Sequence, residues 1–149
     1  MKVISELNYW QKYLLFLDTK WKEWPEILSI LDCDNCCELE QEYLLVGIGD
    51  NKEFLNTVYG ATNLTKQEIK NKIEEVCRKC QSIRNVYIYI LRCKEKRIIF
   101  ESGHSENYYI RKIKNEIRER RKASWVHSTD TESETQELLM KLEEYGNRE

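Results

Sequence analysis

Large apolar residues at Leu7, Trp10, Leu14, Leu17, Trp21 and Trp24 recur at intervals of three and four, the spacing that lays one stripe along an α-helix. Ser5 stands before the run as a cap, and Pro25 ends it, because the residue preceding a proline is pushed out of helical conformation. Pro25 in turn suits the first turn of a second, short helix over Glu26 to Leu31. "YLLVGIGD", Tyr43 to Asp50, is a continuous apolar run closed by glycines and reads as a strand buried on both faces. Its G-x-G lacks the remaining parts of a phosphate loop, so the glycines are assigned to a turn. Residues 51 to 63 fit a helical turn or a short strand equally well.

Thr65 and Glu68 form the T-x-x-E of a capping box, with Leu64 and Ile69 placed to pack as a hydrophobic staple. Ile69, Ile73, Val76, Cys80 and Ile83 then continue one helical stripe. "NVYIYILRC" alternates with period two, "KEK" reads as a polar turn and "RIIFES" as a returning strand, so a β-hairpin is expected over Asn85 to Ser102. "SENYYIRKIKNEIRERRKASW" gives a helix with Ile110, Ile113 and Ile117 inward. Beyond Trp125, "HSTDTESETQE" holds no apolar residue, and Leu138, Leu142 and Tyr145 make a stripe too short to stand alone. The pattern predicts an α+β fold: a small three-stranded sheet that includes the hairpin, packed with four or five helices. Residues 1–126 form the expected domain and 127–149 a flexible acidic arm. Its short helix docks either on its own domain or on another chain, which would make a homo-oligomer.

Composition narrows this picture. With 41% hydrophobic residues, four Trp and nine Tyr, the 149-residue chain is not of the disordered class, and a single proline argues against a turn-rich sandwich. Charges at Glu6, Lys12 and Asp18 break up the first apolar segment, so neither a signal peptide nor a membrane span is expected and a cytoplasmic location is. The net charge of −2 hides an uneven distribution, with an acidic first third, eleven basic residues against five acidic between Arg92 and Lys122, and an acidic tail. Such a chain can match its own charges or offer them to a polyanion.

Candidate chemistry lies in three places. Arg111, Lys114, Arg118 and Arg121 share one helix face and could track phosphates, whereas Trp10, Trp21 and Trp24 could serve a protein partner. Cys33 and Cys36, with Cys37 beside them, and Cys77 with Cys80 repeat a C-x-x-C spacing that meets the count for a structural zinc; a redox pair or buried core thiols are the other readings. The position of Cys80 on an apolar stripe favours core thiols, and no cofactor is expected. Glu101, His104 and Glu106 form the densest acid–base set outside the cysteines, at a junction where such residues commonly act as turn and cap.

"VYIYILRCKEK" resembles, over about a dozen residues, the first strand and turn of the GIY-YIG endonucleases. The resemblance implies a divalent-metal-dependent nuclease with an active-site tyrosine at Tyr87 or Tyr89, but "RIIFESG" does not supply the second tripeptide. With no convergent reactive groups in view, the expected function is a non-catalytic intracellular binding protein of inhibitor, immunity or anti-defence type, such as mobile elements carry. It would engage another protein in preference to nucleic acid. The alternative is a nucleic-acid-binding protein or endonuclease that uses the hairpin and the basic helix.

Overall fold

A computed structural model of the chain describes residues 2–3, 7–18, 27–45, 51–62, 64–79, 85–120 and 125–146. In chain order these form β1 (Lys2–Val3), β2 (Trp10–Asp18), α1 (Ile27–Asp32), β3 (Cys37–Leu45), α2 (Asn51–Tyr59) and α3 (Lys66–Lys79). The second half continues with β4 (Val86–Lys94), β5 (Arg97–Ile99), β6 (Ser105–Asn107), α4 (Tyr108–Arg120), β7 (Val126–Ser128) and α5 (Glu132–Gly146). The fold is α+β.

Tyr13 to Leu17 are five buried apolar residues in succession, which leaves no polar face to turn toward water. A strand covered on both sides accommodates such a run, and β2 is that strand, where the three-and-four spacing of Leu7 to Trp24 predicts a helix. The helical spacing is a subset of a denser apolar run; Trp21 and Trp24 lie outside the described residues. β2 pairs antiparallel with β4 over nine residues, and the sheet order is β3-β4-β2-β7. Four strands therefore replace the expected three, and β1-β5-β6 make a second, smaller sheet.

The expected hairpin between β4 and β5 does not form, because Lys94 to Lys96 is not a solvent turn. The Glu95 amide donates to the Tyr9 carbonyl, the Glu95 carbonyl accepts from Leu7, and that of Lys96 accepts from Tyr108. The chain leaves the large sheet there, and β5 pairs instead with β6, Arg97 opposite Asn107. β3 begins at Cys37 and lies at one end of the large sheet, with a bulge between Leu39 and Gln41. Beyond it Tyr43 is 43% and Leu44 51% exposed, so this strand is not buried on both faces as its apolar run suggests. Residues 46–50 lie outside the description.

The alternating side chains of β2 and β4 feed two cores. Leu14, Phe16, Ile88 and Ile90 meet α2, α3 and α5 through Phe54, Leu55, Val58, Ile73, Val76 and Leu138. On the opposite face Tyr13, Leu15, Tyr89 and Leu91 meet Ile30 and Leu31 of α1 and Ile110, Ile113 and Ile117 of α4. α3 starts as expected: the Glu68 amide donates to Thr65 Oγ1 at 3.2 Å, and the Thr65 amide donates to Glu68 Oε1 at 3.1 Å.

The acidic C-terminal segment is integrated in the same way. β7 pairs with β2, Phe16 opposite His127. Thr131 caps α5 by accepting from the Glu134 amide at 3.1 Å. The buried Thr135 hydroxyl contacts the carbonyls of Lys12 and Thr131, and Thr129 Oγ1 accepts from the Leu14 amide. These bonds satisfy polar groups that burial would otherwise leave at a cost. The helix expected at the end of a mobile arm thus packs on β2 of its own chain.

Leu138→Ala is expected to lower stability by about 2–5 kcal/mol, whereas Met140→Ala, at an exposed position of the same helix, should stay within about 0.5 kcal/mol. Chemical denaturation of both variants checks whether α5 belongs to the cooperative fold.

Candidate functional site

Where the chain leaves the large sheet at Glu95, the small sheet, α4 and the start of α5 bring an unusual density of ionisable groups together. Burying a charge is tolerable only when it is paired and hydrogen-bonded. Glu106 on β6 is 2% exposed and Lys114 on α4 is 5% exposed, and their side chains pair directly. Arg111, one turn earlier on α4, donates to Glu106 Oε2 at 3.1 Å. Burial pushes the Glu106 carboxyl up, but Lys114, Arg111 and His104 together hold it below the ordinary carboxylate value. Burial lowers the Lys114 ammonium, and Glu106 opposes that effect.

A second group adjoins the first. Tyr13 donates to Glu95 Oε2 at 2.5 Å, and Arg97 Nη1 reaches Tyr13 Oη at 3.2 Å, Glu95 Oε1 at 3.3 Å and the Asp130 carbonyl at 2.8 Å. Burial and the Glu95 partner raise the Tyr13 hydroxyl far above its ordinary value, so it acts as a donor and not as a base. Asn107 caps α4 by accepting from the amides of Tyr109 and Ile110, and its side-chain amide donates to the Lys94 carbonyl.

His104 hangs over this network from the β5–β6 loop. Gly103, at φ +90°, makes the turn in a conformation that side-chain-bearing residues rarely adopt. The imidazole stacks on Phe100, with Nε2 3.6 Å from Asp130 Oδ2 and 3.8 Å from Glu106 Oε2. Asp130 is raised by burial and by Glu106, against the lowering effect of Lys114, His104 and Arg97. Next to it Glu134 is pushed up to about 7 by burial and by the Asp130 carboxylate.

The expected site residues fare unequally. His104 and Glu106 converge, while Glu101 is an exposed turn residue. Arg111 and Lys114 are engaged by Glu106, and Arg118 donates to the Val126 carbonyl at 3.3 Å, so this face of α4 is tied to the fold and is not a free phosphate stripe. Trp10 is half-buried with Lys94 over its ring; Arg121, like Trp21 and Trp24, lies outside the described residues. Asp130 and Glu134 are site residues that the sequence reading passed over as arm. Their one local signal is the T-x-x-E at Thr131.

The cysteines divide between the two faces of the sheet. Cys77 packs with the α2/α3 core, whereas Cys33, Cys36, Cys37 and Cys93 belong to the α1/α4 side, so Cys77 and the Cys33–Cys37 turn do not share one ion; Cys80 lies outside the description. Cys37 and Cys93 are opposite one another in the β3–β4 ladder, and both are buried. The thiol of Cys33 is raised by its contact with Cys37 and by burial, which keeps it protonated and unreactive.

The nuclease likeness requires a hairpin that β4 does not make, and Tyr89 is buried in the core with its hydroxyl raised by burial. Compared with known proteins, the chain matches no family model, no curated protein and no solved structure. Among the described residues no helix is long and apolar enough to cross a membrane.

Lys114→Met strands the buried Glu106 carboxylate and is expected to cost about 3–5 kcal/mol, of which Glu106→Gln in the same chain should return at least half. A double-mutant cycle in urea measures this.

A second expectation concerns His127, which sits among Phe16, Tyr59 and Trp125 with Nε2 buried and without a hydrogen-bond partner. Burial first, then Lys114, lowers its pKa well below the ordinary 6.5. The unfolded chain therefore takes up this proton before the folded one, and stability is full above about pH 6.5 and falls below it by up to about 1.4 kcal/mol per pH unit. His127→Phe should raise the melting temperature more at pH 5 than at pH 8, as thermal scans at the two pH values would show.

Proposed function

We propose that this chain is a non-catalytic binding protein that holds an extended, basic segment of another protein along the open edge of β3. The reading rests on one observation. Among the described residues β3 has a neighbour only on its β4 side, and its second half carries Gln41, Glu42, Tyr43 and Leu44 all exposed. An open edge offers backbone donors and acceptors to an added strand, and natural proteins usually blunt such edges with lysine, proline or a covering element. Here the exposed side chains are acidic and apolar, with Glu38 and Glu42 along one strand and Glu40 between them already paired with Lys12 and Arg92. Tyr43 and Leu44 can supply contact area, while the glutamates select a basic partner.

Concavities of about 370 Å³ beside Lys52, Lys66 and Lys70, and of about 270 Å³ beside Cys33 and Lys112, include none of His104, Glu106 or Asp130. Arg111, Lys114 and Arg118, which a nucleic-acid reading needs, are already engaged within the chain.

The test is affinity capture with the full chain, followed by cross-linking and mass spectrometry. The wild type should retain a protein at moderate salt, cross-linked near β3, and Tyr43→Lys with Leu44→Lys should release it while leaving the circular dichroism unchanged. Retention by the double variant, or recovery of nucleic acid alone with a steep salt dependence, would overturn the reading.

A further inference from the structure

We propose that His104, Glu106 and Asp130 form a binding site for one divalent metal ion of the manganese or zinc class, which ties the β5–β6 hairpin to the lead-in of α5. The three side chains come from a loop, a strand and a cap region, and one ligand atom from each lies within 4.8 Å of the others. Among the described residues no other histidine, cysteine or carboxylate group of three converges in this way.

The separations are within the reach of a shared ion. At 3.6 and 3.8 Å, the imidazole is too far from either carboxylate for a hydrogen bond. Two ligands at about 2.1 Å from one ion can stand up to about 4.2 Å apart, so both distances fit, and the Glu106–Asp130 gap needs at most a small contraction. The imidazole is held in place by its stack on Phe100, and the loop is closed by the Phe100 amide donating to the His104 carbonyl at 2.8 Å.

Glu134, in the first turn of α5, adjoins Asp130. Glu134 is 7% exposed, and its Oε2 accepts from the Asp130 amide while Oε1 has no hydrogen-bond partner. A buried oxygen without a partner is costly, and a cation held at Asp130 would lower that cost for its neighbour. Lys114 and Arg111 bond to Glu106, and Arg97 donates to the carbonyl of Asp130, so these three cations act on the Asp130 carboxylate only through space.

One imidazole with two carboxylates is a mixed donor set that Zn²⁺ and Mn²⁺ both accept. Mn²⁺ is the cleaner probe, because it prefers oxygen and imidazole ligands to thiolates, whereas zinc accepts both. Titrating Mn²⁺ into the full chain and following the free-ion paramagnetic resonance signal should show one site per chain. His104→Ala, at an exposed loop position, should weaken it by at least about tenfold, the scale on which even an outer partner of a metal ligand acts. Asp130→Asn should do the same, and Met140→Ala should leave the affinity unchanged. The absence of saturable uptake up to about a millimolar, or uptake unaltered in His104→Ala, would overturn the proposal. Capture of a partner along β3 does not depend on the outcome.

Discussion

Everything in this fold follows from two neighbouring strands that cannot meet water on either face. Along the centres of β2 and β4 both sets of alternating side chains are apolar and buried, Leu14 and Phe16 toward one side, Tyr13 and Leu15 toward the other. An antiparallel sheet usually leaves one face solvated, so this pair demands a helical layer on each side. α1 and α4 supply one, and α2, α3 and α5 the other. The C-terminal helix is therefore a necessary part of a layer. Without Leu138 the Leu14–Phe16 face would lose one of its covers, and the polar cost of seating α5 there is offset by the chain of hydroxyls through Thr129 and Thr135.

How much of this was legible depended on whether the deciding interaction was local. α3 was readable from Thr65 to Val76, because Thr65, Glu68, Ile69, Ile73 and Val76 carry cap and stripe within one segment, while Cys80 and Ile83 of the expected stripe lie outside the described residues. α4 was readable for the same reason through Ile110, Ile113 and Ile117. β2 was not, because a strand buried on both faces and a helix give overlapping apolar patterns, and only the pairing with β4 separates them. The segment after Trp125 was misjudged differently. It repeats the T-x-x-E signature at Thr131 and Glu134, but its apolar contribution is concentrated in Leu138, and β7 is only three residues long. A short strand added to an existing edge leaves almost no trace in its own sequence.

The charged cluster shows the same division. His104 and Glu106 stand two residues apart and drew attention as a dense set, whereas Asp130 and Lys114 reach them only through the tertiary fold. The basic spacing on α4 was visible, but spacing identifies a face and not what covers it. Lys114 lies one turn beyond Ile110, close enough to the buried stripe that the helix carries it into the interior, where Glu106 has to meet it. A stripe that reads as a phosphate track in one dimension becomes, in three, the inner wall of an ion-pair network. The density of charge around Arg97, Arg111 and Lys114 is the consequence of closing a small sheet against a helix with few apolar residues to spare.

Charge distribution along the chain then acquires a physical meaning. Part of the acidic first third is matched within the molecule, with Glu40 beside Lys12 and Arg92, and Asp34 beside Lys112. These pairs are exposed and worth little individually, so they do not explain why the acidity is retained. Glu38 and Glu42 lie on the same strand with exposed side chains, next to an apolar pair that the helical layers do not cover. Stability alone would favour lysine or a shorter strand at such an edge, because an open, partly apolar edge invites unwanted pairing. Acidic residues are a selective form of protection: they repel a second copy of the same acidic edge while leaving it open to a basic one. The sign of the charge on β3 thus distinguishes a second copy of the same edge from a basic strand, while the buried charges of Glu106 and Lys114 meet each other inside the fold.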